Sequence, residues 1–400
     1  MSRAPWLAVT LATAILLAGC SSSSHLAAAQ SAQPSPSNAT PTFVASPTPT
    51  FANPTPTSAN PVPTTASRAG TQCPAVQPAP VFAPSAASSG RYALVTVSGT
   101  TDFVVRDITD INHPFTVSSL GSQVDYASRF VNGGELSSTS DQSIGLVRMP
   151  FSGSPKTVVS ACGSSPSAWS PDGTSAAYIR GTGNIQVQDF HIVSGGQDRL
   201  IESMNSGFAS GCESRACADR WDFRLLYSPN GQYISYVQQP APVLRIWTSA
   251  GKLIKSVDGS PATMSVWSGT TLYWRDDKGV ETWRDGVETL LLPGVSWIRP
   301  KASPAGGQIV YETRDANYTT AHVFVLDTTT GKAREIAQSR SEPTFLDSRD
   351  IWYEGERPCA APDPCFSATV ASGAYIFDLQ TSTEYGSIIT NVWDVWPHAA

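Results

Sequence analysis

A short turn that occurs three times constrains this chain more than any other feature. Residues 168–173 read Ala-Trp-Ser-Pro-Asp-Gly and precede the apolar run Ala176 to Ile179. Residues 226–231 read Leu-Tyr-Ser-Pro-Asn-Gly and precede Tyr233 to Val237. Residues 302–306 read Ala-Ser-Pro-Ala-Gly and precede Ile309 to Tyr311. Ser170, Ser228 and Ser303 open the turns. Pro171, Pro229 and Pro304 preset φ, Asp172 and Asn230 follow, and Gly173, Gly231 and Gly306 close them. That order is what a type I turn between two strands prefers. These serines are structural residues, not nucleophiles.

Weaker copies of the unit mark the rest of the chain. With markers at residues 89, 131, 170, 228, 268, 303 and 347, the steps are 42, 39, 58, 40, 35 and 44. The long step contains Cys212 and Cys217, which reads as a clipped insertion. No amphipathic helical window interrupts the short β-type runs. Further strands are predicted at Val243 to Trp247, Leu253 to Val257, His322 to Asp327, Phe103 to Asp107 and Tyr375 to Leu379. A period near forty with four short strands per unit predicts an all-β propeller over residues 86–400, with seven blades. Six or eight blades and a pair of β-sandwiches are the alternatives. The first unit lacks the strand before its turn. The C-terminal run Asn391 to Pro397 has the pattern of that strand, so the last segment is expected to close the ring.

The Ser-Pro-Asp-Gly turn followed by an apolar strand resembles the TolB-like, WD40-like propellers of periplasmic and peptidase-associated proteins. Only one unit carries the full Trp-Ser-Pro-Asp-Gly. The resemblance implies an envelope protein whose relatives dock other envelope proteins.

The N-terminal end predicts where the protein works. Arg3 precedes an apolar stretch from Trp6 to Ala18, about a dozen residues and too short for a bilayer span. It ends in Leu17-Ala18-Gly19-Cys20, which resembles the bacterial lipobox. Residues 1–19 are thus expected to be a lipoprotein signal peptide, with Cys20 lipidated on an exported chain. That places the protein on the outer side of the cytoplasmic membrane, or in a periplasm or outer membrane if the cell has two. Residues 20–85 are rich in Ser, Thr, Pro and Ala, and 21–67 contain no Lys, Arg, Asp or Glu. Such a segment cannot bury enough apolar area to order itself, and predicts a disordered, extended linker. Its composition also suits O-glycosylation.

Beyond Cys20 there are six cysteines, an even number that suggests disulfides in an exported chain. Cys212 with Cys217 and Cys359 with Cys365 are spaced as short clips, leaving Cys73 for Cys162. Fifteen connectivities are possible for six cysteines. A zinc site is the lesser alternative.

The net charge of −6 argues against nucleic acid as a partner. HExxH, GxSxG, Walker and GxGxxG motifs are absent. The histidines, His25, His113, His191, His322 and His398, have no ligand spacing. Asp107, Asp110 and Asn112, and the pair Asp276 and Asp277, read as solvated turns rather than calcium ligands. No catalytic residue, metal site or cofactor is predicted. The richest mix of aromatic and charged groups is Trp274, Arg275, Trp283 and Arg284, a candidate rim site. Tryptophans at the same place in successive units are expected to pack between blades, and the rim site is the lesser reading.

The expected function is therefore a lipid-anchored, non-catalytic binding or protein-interaction module. Its partners would be the membrane through Cys20 and another envelope protein or a glycan or peptide ligand. The alternatives are a hydrolase or lyase acting on cell-wall glycan or peptide, and a structural envelope protein.

Overall fold

In a computed structural model, the described residues are 90–396 apart from 98–101, 122–128, 132–135, 141–143, 150–155, 160–165, 182–186, 206–224, 239–242, 258–262, 318 and 361–368. The signal segment and linker lie outside them, as do every cysteine except Cys359, and His25 and His398. Cys359 is disulfide-bonded.

The chain is an all-β propeller. Its described residues form seven four-stranded antiparallel sheets. Sheets two to seven span residues 129–159, 167–205, 225–257, 263–293, 298–338 and 340–387. Strands follow chain order within each of these sheets. Sheet one contains Tyr92–Thr96, Phe103–Asp107 and Phe115–Gly121, and takes its first strand from the other end of the chain. That strand, Val392–Trp396, pairs antiparallel with Tyr92–Thr96, as the C-terminal pattern predicts. Trp396 stacks on Tyr92 at 5.9 Å.

The three repeated turns share one bonding pattern. The carbonyl of Ser170 accepts the Gly173 N–H at 2.8 Å, Ser228 accepts Gly231 at 2.8 Å, and Ser303 accepts Gly306 at 2.9 Å. The glycines take φ of 68°, 70° and 74°, a region that costs a residue with a Cβ. Each serine is buried. Ser170 Oγ donates to Asp172 at 2.6 Å, and Ser228 Oγ donates to Asn230 at 2.7 Å. Asp172 is held below the usual carboxylate range by the Ser170 hydroxyl and the Thr174 N–H and hydroxyl. A polar residue at this place joins the two strands and stays out of solution chemistry.

Each sheet is apolar on both faces, so each must bury two surfaces. Seven apolar clusters do this, one between each successive pair of sheets. One of them joins sheet seven to sheet one, through Trp352, Ile376, Ile389, Val104 and Val392. Tryptophans fill the largest volumes. Trp247 of sheet four packs on Phe190 of sheet three at 4.3 Å, and Trp267 of sheet five packs on Tyr233 of sheet four at 6.0 Å. Burying such a ring removes about 150–250 Å² from water, or about 4–6 kcal/mol by area. Indole N–H groups are matched across the same interfaces: Trp297 donates to the Met264 carbonyl at 3.0 Å, and Trp352 to Ile389 at 2.8 Å.

Candidate functional site at the inner strands

The first strands of neighbouring sheets touch one another, so they are the inner strands of the ring. Three of them carry the same irregularity. The pairing slips by one residue between Thr263 and Val266, between Ile298 and Lys301, and between Ser341 and Thr344. The residue after the last matched pair is left-handed in every case: Met264 (φ 51°), Arg299 (φ 51°) and Glu342 (φ 55°). Asn391 (φ 54°) precedes the inner strand of sheet one. For residues with a Cβ this conformation costs about 1–3 kcal/mol. Bulges of this kind re-aim a side chain.

The second strand of each sheet then supplies a residue opposite the slip, and that residue reaches the next inner strand. Arg275, paired with Thr263, donates to the Trp297 carbonyl at 3.0 Å and to Ser296 Oγ at 3.0 Å. Glu312, paired with Ile298, accepts the Glu342 N–H at 3.1 Å. Glu354, paired with Ser341, accepts the Asn391 N–H. One position of the fold thus reaches the next inner strand in three successive sheets, and in the last two it grips the left-handed residue itself, Glu342 or Asn391.

In sheets six and seven this position carries a charged network. The Glu312 carboxylate is fully buried between two guanidiniums, Arg314 Nε at 2.8 Å and Arg299 Nη1 at 3.3 Å. Arg314 also grips Glu356 with two bonds, at 2.6 and 3.2 Å. Arg299 divides its charge between Glu312 and Glu342, whose carboxylate lies at 3.3 Å. Arg299 and Glu342 keep 41% of their side chains exposed, so the network ends at solvent.

Burial works against the charge on Arg299, but Glu342 and Glu312 outweigh it and raise its pKa. Glu354 moves to about 7, first because burial disfavours its anion and then because Glu342 repels it. Asp394, on the closing strand, is also raised by burial, against the pull of Arg129 and Lys301. It accepts the Phe130 N–H at 2.7 Å. Those two cations come from the inner strands of sheets two and six, so charges from several sheets converge on the axis.

Of the four residues singled out in the sequence, Arg275 lies opposite one of these slips and the other three lie elsewhere. Trp274 and Trp283 are 1% and 2% exposed, in the core between sheets four and five, so neither ring is a rim platform. Their apolar surface is worth more against Trp267 and Leu244 than in water. Arg284 is exposed beside Asp285, and Arg275 makes the contacts described above. Asp107, Asp110 and Asp276 accept backbone N–H groups of their own turns. His113 pairs with Asp110, His191 with Asp198 and His322 with Glu335. Among the described residues no group of His, Cys, Asp and Glu could hold a metal ion, and no helix is long and apolar enough to cross a membrane.

Composition gave no hint of the charged network. The signal that could have found it is a repeat: residues 311–314 read Tyr-Glu-Thr-Arg and 353–356 read Tyr-Glu-Gly-Glu, in the same place in successive units. A charge at one fixed position inside an apolar strand needs a partner.

No protein-family model and no curated protein matches the chain. Solved structures do. A "putative 6-phosphogluconolactonase" from Bacteroides uniformis superposes with a TM-score of 0.51 at 11% identity, over 77% of this chain and 99% of that one. An oligogalacturonate lyase in complex with manganese gives a TM-score of 0.46 at 11% identity, over 75% and 84%. TolB from Acinetobacter baumannii gives 0.41 at 17% identity, over 63% and 64%. At these identities the likeness shows the fold alone.

Proposed function

We propose that this chain is a seven-bladed, TolB-like propeller that acts as a non-catalytic binding module at the cell envelope. It is exported, lipidated at Cys20 and carried on the linker of residues 20–85. In this reading each sheet is a blade, and Cys212–Cys217, Cys359–Cys365 and Cys73–Cys162 are its disulfides. The partner is another envelope protein or a glycan or peptide.

The observation that carries the reading is the exposed end of the charged network at Arg299 and Glu342. Charge pointed at solvent from strained inner-strand backbone suits recognition. The network holds no serine or cysteine nucleophile and no histidine.

The test is in-cell photo-crosslinking from position 342, with position 253 on an outer strand as the control. One partner captured at near-stoichiometric yield from 342, absent from 253 and lost with Cys20→Ala, is the expected result. Equal capture from both positions, or none, overturns the reading.

A second reading, a hydrolase or lyase acting on cell-wall glycan or peptide, is favoured by one observation. Glu354, raised to about 7 beside Glu342, has the character of a general acid. Turnover of cell-wall fragments that disappears with Glu354→Gln would establish it.

A further inference from the structure

We propose that the outer strands of sheets four and five form a docking surface for a second copy of this chain, across a two-fold axis that runs along the seam between them. The surface starts from a displaced bulge. In sheets three, five and six the outer strand makes four regular pairs after its turn, and the next residue bulges: Ile201, Leu291 and Ile336. Each of these side chains is partly buried against an apolar cluster. Two of them also lie over a turn of the next sheet. A Cβ on Gly251 would meet Ile201 Cδ1 at 2.7 Å, and one on Gly331 would meet Leu291 Cδ1 at 3.2 Å. In sheet four the outer strand bulges after a single pair, at Ile254. The corresponding turn of sheet five is uncovered: no side chain of another sheet stands within 4 Å of a Cβ placed on Gly286.

A bulge re-aims the side chains beside it, and the early one leaves two successive aliphatic residues in solvent. Leu253 and Ile254 are 43% and 41% exposed, and across the seam Val287 and Leu290 are 66% and 39% exposed. Sheet six, with its bulge in the regular place, has no exposed large apolar side chain on its outer strand.

Charge specifies the occupant. Residues 248–257, the turn and outer strand of sheet four, carry Lys252 and Lys255 and no acid. Residues 285–293 of sheet five carry Asp285 and Glu288 and no cation, with Arg284 just before them beside Asp285. The flanking outer strands, 197–205 and 332–338, carry both signs. The two strands of the patch therefore have opposite sign, and they stand at one height, because Lys255 pairs with Glu288 across the seam. An isologous contact needs a patch complementary to itself. Turning a second copy about an axis along the seam lays its sheet five on sheet four of the first at the same height. Lys252 then faces Asp285 of the other copy twice, both being exposed in the single chain, and the aliphatic side chains close over one another. A bilayer surface would instead hold Asp285 and Glu288 against anionic headgroups.

Four aliphatic side chains and two exposed ion pairs are few beside the roughly 800 Å² per partner of a standard interface, so the dimer is weak, with a Kd on the order of 10–100 µM. Sedimentation velocity of the full chain in detergent, over about a hundredfold range of concentration around that value, should show a reversible monomer–dimer equilibrium. Lys252→Glu and Asp285→Lys should each weaken it about tenfold or more, because each sets like charges face to face. The double swap should return to within about threefold of the wild type, and Val287→Asp should leave only monomer. All three positions are exposed, so a wild-type melting temperature shows that each variant has folded. Photo-crosslinking from position 253 in cells should capture a second copy and not the partner captured from 342. A wild type that stays monomeric throughout, a dimer indifferent to Val287→Asp, or single swaps that the double swap does not rescue overturns the inference. So does a monomer whose residues 253–254 and 287–290 gain hydrogen-exchange protection only on phosphatidylglycerol vesicles, a result that would make the bilayer the occupant.

Discussion

At the inner edge of sheet five the left-handed residue is Met264; at that of sheet seven it is Glu342. The backbone slips by one residue in both places, and the position opposite reaches the next sheet in both. The chemistry is opposite. Met264 is 5% exposed and its carbonyl is covered by the Trp297 indole. Glu342 keeps 41% of its side chain in solvent and meets Arg299. The fold therefore delivers a re-aimed side chain at each slip, and residue identity alone decides whether it packs or faces solvent. Sheet five uses the slip for apolar packing against sheet six, whereas sheets six and seven use it to hold charge.

Substitutions can break or sharpen that contrast. The largest effect is expected from Trp283→Ala, on the packing side. The ring is buried against Tyr233 at 5.1 Å and Trp267 at 6.2 Å. Its loss should cost about 4–5 kcal/mol in urea unfolding. A stable variant with lost binding would return Trp283 to a ligand site.

Glu312→Ala comes next, at about 3–4 kcal/mol, because it leaves Arg299 and Arg314 facing each other without their shared carboxylate. If unfolding is unchanged, the network contributes little and the two halves differ less than their chemistry suggests.

Glu354 gives the third test, read against pH. Its folded pKa of about 7 lies above its ordinary 4.5, so the folded state binds the proton more tightly than the unfolded state. Stability should fall as pH rises from about 4.5 to about 7 and level off above that. A melting-temperature series should show this slope in the wild type and lose it in Glu354→Gln.

Gly231→Ala probes the common scaffold. At φ 70° a Cβ costs about 1–2 kcal/mol in any sheet, with Pro171 Cδ 3.4 Å away in ordinary contact. A larger loss would mean the turn does more than join two strands. The smallest effect is expected from Arg284→Ala. Its pair with Asp285 is exposed on both sides, so unfolding should move by less than about 0.5 kcal/mol.

The sequence-level reading reached the fold through its turns. Ser-Pro-Asp-Gly and its relatives are local, and their geometry depends on four residues that sit together in the chain. The closing strand was legible because Trp393 to Pro397 supplies what the first unit lacks. The charged network was not legible in the same way. Arg299, Glu342 and Glu354 are charged residues among many, and only the one-residue slips bring them to the axis. A slip depends on pairing between strands, which no local pattern reports. The tryptophans misdirect for a related reason: Trp274 beside Arg275 and Asp276 looks like a polar platform, yet the ring lies in the core, Arg275 on the opposite face reaches the Trp297 carbonyl, and Asp276 turns back on the N–H groups of its own turn.

The pairing of Val392–Trp396 with Tyr92–Thr96 sets the timing of the molecule's assembly. Some 300 residues separate the two strands, so the first sheet lacks a member until nearly the whole chain has reached the compartment in which it folds. Until then Tyr92–Thr96 is an unpaired apolar edge, the kind of surface on which neighbouring chains associate. Six sheets can form in order behind it, but the ring becomes one cooperative object only when its latest-made strand arrives. Chaperoning of that edge, more than the stability of any finished sheet, would then govern how much folded protein a cell obtains.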